Sequence, residues 1–515
     1  MKNYKYIGVL LLSIAVVSCD VDNQLDAIPE TVVPTVALNT NGLDFSSYVA
    51  VGASFTAGFT DGALFKAAQE NSFPNTLAGK FSANFTQPLM NDNIGGLLFA
   101  GNVIQGSRLY FNGAGPAPLA AVPTTETTNV LTGGFNNYGI PGLKSFHLLA
   151  QGYGNLQGVP AGLANPYFAR MASSPNATVL DDAMAQGPTF FTLSEIGGND
   201  VLGYATSGGI GVDQSPTNAN PTGNLDPATY GGNDITNPLV FKNVFEGVVA
   251  TLTAGGVKGV IANVPYITSL AHFTTVPYNP IPMDEATATA VNAAYAPYNG
   301  GLQAALNALA GTGLLTEAEV AKRTINFTAG QNAVVIIDED LTDLGAINPA
   351  FAALPKYRQA TADDLLVLTS SSFIGTLADP NNPASVNGVA VPLADKWVLT
   401  PQEQLAIKNA TDSYNTVIEA VAASNPDVAL VDFKAILEEA STTGIAFDKY
   451  TLTTNLVTGG LISLDGVHLT ARGYALMANE ILAAMDAKFG SNFSQATNGL
   501  AKAGEYPTNY SPTLQ

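Results

Sequence analysis

Short apolar runs that end abruptly at small or polar residues recur along the chain. Such runs, four to eight residues long, are typical of buried strands in a parallel sheet. They lie just before Ser54, from Pro188 to Leu193, from Gly259 to Val264 and from Val428 to Val431.

Segments with apolar residues at helical spacing alternate with these runs. One stripe extends from Phe241 to Leu252, and the capping box that begins at Thr400 opens a helix to about Ala423. A third stripe, from Tyr474 to Met485, follows a helix N-cap at Thr470. The alternation of helix and strand predicts an α/β fold with a mostly parallel sheet.

Two long stretches depart from this alternation. Phe85 to Gly134 is rich in Gly, Asn, Pro and Thr and has only weak strand signals. Residues from about His272 to Leu399 combine helical patterns with one apolar run, and we interpret them as an insertion between the fourth and fifth strands. Residues 491–515 are expected to form a loose C-terminal tail, so the folded domain is predicted to span residues 45–490.

The N-terminus has the pattern of a processed secretory signal. Lys2 and Lys5 precede an apolar run that is too short to span a bilayer, and Val16 to Cys19 resembles a bacterial lipobox. We therefore expect residues 1–18 to be a lipoprotein signal peptide, Cys19 to be lipidated, and residues 19–44 to be a tether. This predicts a lipid-anchored protein of the cell envelope, at the outer membrane or cell surface; an ordinary secretory signal is the alternative.

Composition excludes several classes of function. A net charge of −21 with only 20 Lys and Arg disfavours a nucleic-acid partner. Cys19 is the single cysteine, so internal disulfides and thiol catalysis within the domain are excluded. The three histidines lack the spacing of metal ligands, and the acidic stretch Asp338 to Asp343 lacks the pattern of an EF-hand loop. The sequence therefore predicts no metal site and no cofactor.

Ser54 is the first candidate for catalysis. It follows a predicted strand through the tight Gly52-Ala53-Ser54 turn, and ligands of open α/β sheets bind beyond the carboxyl ends of strands. A hydroxyl at that place is suited to be a nucleophile. The alternative is a polar turn residue that caps the next helix.

Asp465 and His468 are the second candidate pair. Their spacing on a tight turn lets the Asp465 carboxylate accept a hydrogen bond from one imidazole nitrogen, which leaves the other free to take a proton from Ser54. A histidine satisfied at the surface beside a helix cap is the alternative.

These residues belong to four blocks whose identity and order resemble the SGNH/GDSL hydrolase family. The blocks are Gly52-x-Ser54-x-x-x-Gly58, Gly142 after Asn137, Gly198-Asn199-Asp200, and Asp465-x-x-His468. The resemblance implies a three-layer sandwich with a flavodoxin-like sheet. It also implies a triad of Ser54, His468 and Asp465, with an oxyanion hole made by Ser54, Gly142 and Asn199.

Some features depart from that family or compete with these assignments. Ala53 replaces the aspartate that the family has beside its serine, which puts the hydrogen bonding of the turn in doubt. Thr56 breaks the Gly-x-Ser-x-Gly elbow of α/β-hydrolases. A second Gly-Gly-Asn-Asp, with Asn233, has no strand before it, so Asn199 is preferred. His272 lacks a spaced carboxylate and is expected at most to contact substrate.

The sequence thus predicts a serine esterase or lipase that cleaves carboxylic esters. Acyl lipids and acetylated glycans are both compatible substrates, and the membrane would be reached through the lipid anchor. A non-catalytic surface lipoprotein that binds glycan or lipid on an SGNH-like scaffold is the alternative function. The oligomeric state is not predicted.

Overall fold

The computed structural model describes residues 35–515. The predicted signal peptide, Cys19 and most of the predicted tether lie outside the described residues. Leu38–Gln515 form one compact unit, to which the following description applies.

Five parallel strands form the central sheet. They are β1 (Tyr48–Gly52), β2 (Asn137–Gly139), β3 (Phe190–Ser194), β4 (Lys258–Ala262) and β5 (Val428–Val431). The spatial order is β5-β4-β3-β1-β2, so counted along the chain it is 2-1-3-4-5. Every neighbouring pair is parallel. The prediction of an α/β fold with a parallel sheet is confirmed, and the apolar runs correspond to β1, β3, β4 and β5.

Six helices position the residues of interest. They are α1 (Ser54–Ala57), α2 (Asn199–Thr206), α3 (Pro238–Leu252), α4 (Pro401–Ser424), α5 (Phe433–Thr442) and α6 (Ala471–Phe489). Local caps define two of their starts. In α4 the Glu403 carboxylate accepts from the Thr400 backbone N–H at 2.6 Å, and in α6 the Thr470 hydroxyl accepts from the Gly473 N–H at 3.0 Å. Further helices span Lys66–Glu70, Phe73–Phe81, Pro166–Ala169, Val179–Met184 and Ala271–Thr274.

The segment between β4 and α4, which we interpreted as an insertion, has a hydrophobic cluster of its own. The cluster includes Ile281, Val335, Leu366 and Val398. Its two-stranded pairs are Ile281–Met283 with Gly330–Asn332, Val335–Ile337 with Tyr357–Gln359, and Leu365–Leu366 with Val398–Leu399. Its helices are Glu285–Ala308, Glu317–Arg323 and Leu344–Ile347.

Residues 491–515 differ from the loose tail that we expected. Phe493 is fully buried, and the buried Arg108 donates to the carbonyls of Ser511 at 2.7 Å and Leu514 at 2.8 Å. Arg108 lies in the stretch between Phe85 and Gly134, which forms two hairpins. Their strands are Leu97–Phe99 with Asn102–Gln105 and Leu109–Phe111 with Pro116–Pro118. Because guanidinium N–H groups satisfy the carbonyls of the tail, this polar segment is held against the body.

The folded body also begins earlier than the predicted boundary at Phe45. Leu43 belongs to the core, and the Asn39 backbone N–H donates to the Asn492 side chain at 2.7 Å. The last residues of the predicted tether are therefore part of the body. In the described part of the chain, no helix combines the length and the hydropathy that crossing a membrane requires.

Candidate active site

Ser54 is at the carboxyl end of β1, where it begins α1. Its side chain is almost buried, with 7% of the residue exposed. The preceding turn requires glycine at position 52, because a Cβ there would lie 2.1 Å from Thr56 Oγ1 and 2.8 Å from the Ser194 carbonyl oxygen. The sequence therefore brings a hydroxyl to the sheet edge through a turn that admits no side chain at Gly52.

Glu195, which we did not identify from the sequence, holds the Ser54 turn. Its Oε1 accepts from the backbone N–H groups of Ala53 at 2.6 Å and Thr56 at 2.9 Å, and its Oε2 accepts from Thr56 Oγ1 at 3.1 Å. Glu195 has a left-handed φ of 49°, an uncommon conformation for a residue other than glycine. Burial raises the pKa of this carboxyl to about 7 despite these hydrogen bonds. Ala53, beside the serine, has no side-chain atom that could accept a hydrogen bond. Glu195 instead accepts the hydrogen bonds of this turn.

Asp465 and His468 are joined as their spacing suggested. His468 Nδ1 lies 2.9 Å from Asp465 Oδ2, and Asp465 Oδ1 accepts from the His468 backbone N–H at 2.8 Å. Asp465 Oδ2 also accepts from the Gly62 N–H at 2.8 Å. Burial alone would raise the pKa of Asp465, but His468 and the backbone donors outweigh it and hold the pKa well below its ordinary value. The carboxylate is therefore ionised and orients the imidazole.

The segment that begins at Ser54 packs against the turn that carries His468. The rings of Phe55 and Phe59 lie 5.7 and 4.5 Å from the imidazole, measured between centroids, and Thr60 Oγ1 donates to the Leu469 carbonyl at 2.8 Å. Among residues 35–515, no hydrogen bond joins the Ser54 hydroxyl to His468. Catalytic hydrogen bonds are often long without substrate, so this geometry is compatible with a nucleophile and its base.

Asn199 and Gly142 are brought together by the elements around them. Asn199 Nδ2 donates to the Leu143 carbonyl at 2.9 Å, and the buried Asp200 carboxylate accepts from the Ser145 N–H at 2.9 Å and its hydroxyl at 2.7 Å. Gly142 is exposed and has a φ of +81°. The start of α2 therefore fixes the loop that carries Gly142, and one N–H of the Asn199 amide remains available for a ligand.

A largely apolar cavity opens beside Ser54, Gly198 and Asn199. About 910 Å³ of space lies between its walls, and this figure includes open solvent at the mouth. The walls come from α2, from the loop after β4, from α5 and from α6. They include Leu202, Val264, Ile267, Phe433, Leu437 and Met477. Such a cavity can hold a hydrocarbon chain whose reacting end lies at Ser54.

The competing residues lie elsewhere or are differently engaged. Asp234 of the second Gly-Gly-Asn-Asp accepts from Val212 N–H at 2.9 Å and Gly231 N–H at 2.8 Å, so this loop closes on itself. His272 is buried, both of its ring nitrogens lack a hydrogen-bond partner, and burial lowers its pKa. His147 stacks on Tyr153 at 4.2 Å, and burial lowers its pKa to about 3. Neither histidine is hydrogen-bonded to a carboxylate, unlike His468.

One group of carboxylates could hold a metal ion, although the sequence predicts no metal site. Oxygen atoms of Glu339, Asp395 and Glu403 all lie within 4.8 Å of one another. Asp338, in the acidic stretch that we considered earlier, is instead paired with Lys322 at 3.1 Å. Glu339 is 56 residues from Asp395 in the sequence, so no local motif indicated the group.

Comparisons with protein-family models, with curated proteins and with solved structures give no match to this chain.

Proposed function

We propose that this protein is a serine-dependent carboxylic ester hydrolase of the SGNH/GDSL type. The observation that carries the proposal is the half-buried Asp465–His468 pair, packed against the segment that begins at Ser54. A carboxylate that orients an imidazole near a hydroxyl at a strand end is the arrangement of nucleophilic acyl transfer.

The reaction would proceed by acyl transfer to water. Ser54 Oγ attacks the ester carbon while the His468 nitrogen that does not face Asp465 takes its proton and passes it to the departing alkoxide. Water then attacks the acyl-serine, and His468 again moves the proton. The backbone N–H groups of Ser54 and Gly142 and the Asn199 amide would stabilise the oxyanion in both steps.

The strand order is compatible with the family assignment. An all-parallel sheet with the order 2-1-3-4-5 is the flavodoxin-like order, which we take to be the core of a three-layer sandwich. In such sheets the ligand site lies beyond the carboxyl ends of the strands, where Ser54 follows β1 and Glu195 follows β3.

The cavity favours an acyl lipid over an acetylated glycan as the substrate. Its walls beyond Ser54 are almost entirely hydrocarbon. Each methylene group of an acyl chain buried against them would contribute about 0.8 kcal/mol to the binding free energy. A lipid anchor on Cys19 would keep such an enzyme at the membrane that supplies its substrate.

Ser54→Ala tests the proposal. The wild-type chain is expected to hydrolyse p-nitrophenyl butyrate and to be labelled by a fluorophosphonate at Ser54, whereas the variant should lose both, with kcat lower by about 10⁴-fold or more. Ser371→Ala, at an exposed serine of the insertion, is the matched control and should behave as wild type.

The histidine variants decide between catalysis and binding. His468→Ala should reduce hydrolysis to background, while His272→Ala should retain most of it. A wild-type chain that neither hydrolyses esters nor reacts with the fluorophosphonate would contradict the proposal and favour the non-catalytic binder. Retained activity in Ser54→Ala would assign the nucleophile elsewhere.

A further inference from the structure

Three carboxylates from three different elements converge beside α2. Glu339 follows the strand Val335–Ile337, Asp395 lies just before the strand Val398–Leu399, and Glu403 is in the first turn of α4. Their oxygen atoms lie within 4.8 Å of one another. We call these three residues the carboxylate cluster.

The Glu403 side chain is buried, and only one of its two carboxylate oxygens accepts hydrogen bonds. The residue is 5% exposed, and its Oε2 accepts from the Thr400 N–H at 2.6 Å and the Thr400 hydroxyl at 2.8 Å. Its Oε1 is buried and has no hydrogen-bond partner, and the same holds for Asp395 Oδ1. A buried acceptor without a partner is costly, so two such oxygens in one cluster indicate an absent electropositive ligand.

No basic side chain neutralises the cluster. Within residues 35–515, none of the three carboxylates takes part in a salt bridge, and the Lys356 ammonium donates to the backbone carbonyl of Glu339 at 2.7 Å. Three carboxylates this close repel one another when ionised, and a cation would relieve that repulsion.

We propose that the carboxylate cluster binds one hard divalent cation, with Ca²⁺ as the ion that fits. Ca²⁺ takes oxygen ligands at about 2.3–2.6 Å, so oxygens on opposite sides of one ion are about 4.6–5.2 Å apart. Three oxygens within 4.8 Å can therefore share one ion. Ca²⁺ accepts irregular coordination that water can complete, whereas Mg²⁺ requires near-octahedral geometry.

The ion would fasten the insertion to the body. Glu339 and Asp395 belong to the insertion, and Glu403 belongs to α4. The turn after α2 lies against the same cluster, because a Cβ at Gly209 would be 1.7 Å from Glu403 Oε1. Since α2 begins at Asn199, the ion would also restrain the far end of the helix that carries this amide. The inference does not depend on the proposed esterase activity.

Calcium binding by the full chain, purified in detergent and treated with EDTA, tests the site. Isothermal titration with CaCl₂ should show one site per chain, and saturating Ca²⁺ should raise Tm by about 2 °C or more. Glu339→Gln, Asp395→Asn and Glu403→Gln should each weaken binding by about tenfold or more, since even partners outside the coordination sphere contribute that much. Glu317→Gln, at an exposed carboxylate of the insertion, should bind as wild type.

The substitutions are chosen so that a loss of Ca²⁺ binding would not result from misfolding. Glu403→Gln keeps an oxygen for the Thr400 cap, and Asp395→Asn and Glu339→Gln leave that cap untouched, with circular dichroism reporting the fold. If the wild type shows neither heat nor a Tm shift with millimolar CaCl₂, the proposal is wrong. It is equally wrong if the cluster variants bind Ca²⁺ as tightly as Glu317→Gln does.

Discussion

At the scale of single residues, Glu195 has the most consequential placement outside the proposed triad. Its carboxylate takes the backbone donors of the turn on which Ser54 lies, and its own backbone is left-handed. A strained conformation of this kind persists where surrounding interactions over-determine it, and such conformations cluster at functional sites. We infer that Glu195 acts on Ser54 through the turn.

Glu195→Gln should make the free energy of unfolding less sensitive to rising pH. The pKa of Glu195 is raised to about 7 in the folded state, so its favourable contribution is complete below about 4.5 and is lost as the pH rises to about 7. The wild type should therefore lose about 3 kcal/mol relative to the variant between pH 4.5 and 8. Urea unfolding of both proteins at pH 5 and pH 8 measures this difference, with exposed Glu438→Gln as the control. A constant difference across this range would show that Glu195 is ionised throughout.

Asn199→Ala should lower kcat by about 10²–10³ with little loss of fold, the scale found for one oxyanion-hole donor. Part of the effect would come from the loop that carries Gly142, because Asn199 Nδ2 also donates to the Leu143 carbonyl. Asn233→Ala, in the second Gly-Gly-Asn-Asp, should retain wild-type activity. Steady-state kinetics with p-nitrophenyl butyrate measure both, and equal losses would contradict the assignment to Asn199.

At the scale of elements, α5 and α6 form much of the cavity wall beside Ser54. Ile436 of α5 is half-buried and lines the cavity. A larger side chain there would occupy cavity space without touching the triad. Such a variant therefore tests which acyl-chain length the enzyme prefers without changing the catalytic residues.

Ile436→Trp should shorten the preferred acyl chain. We expect kcat/KM for p-nitrophenyl octanoate to fall by about tenfold or more, since each methylene excluded from the cavity costs about 0.8 kcal/mol. Hydrolysis of p-nitrophenyl acetate should change little. Leu405→Trp, at an exposed position on α4, is the control. If both esters lose activity equally, the acyl chain does not lie along α5.

At the scale of the whole molecule, four carboxyl groups have strongly raised pKa values, two of them buried (Asp61 and Glu403) and two half-buried (Glu195 and Asp395). Burial raises the pKa of Asp61, Glu195 and Asp395 to about 7 and that of Glu403 to about 8. Desolvation lowers the pKa of His147 and His272, so both residues stabilise the folded state increasingly as the pH rises to the ordinary imidazole range. The two histidines offset part of the effect of the four carboxyl groups up to about pH 6.5, and above that pH only the carboxyl groups contribute.

The free energy of unfolding should therefore fall between pH 6.5 and 8.5 in buffers without calcium. Over this range the folded state binds more protons than the unfolded state. The reason is that carboxyl groups with raised pKa values keep their protons to a higher pH in the folded state than in the unfolded state. Urea midpoints measured across the range provide the test, and the decrease should be smaller with Ca²⁺ present. A midpoint that rises steadily to pH 8.5 would contradict the raised pKa values.

The sequence by itself determined the features that depend on local interactions. The apolar runs located β1, β3, β4 and β5, and the caps at Thr400 and Thr470 located the starts of α4 and α6. The Asp465–His468 hydrogen bond followed from a spacing of three residues. In each case the residues that decide the structure are neighbours along the chain, so the pattern carries the information.

Only the tertiary structure decided how distant polar groups are satisfied. Glu195 accepts from Ala53, 142 residues away, the carboxylate cluster draws on three segments, and Arg108 holds a tail that composition suggested was loose. β2 was also missed, because Asn137–Gly139 is a polar, three-residue strand. Buried donors and acceptors pair with whichever groups the packed chain places beside them. Because these partners are distant in sequence, the pairing produces no local pattern from which it could be predicted.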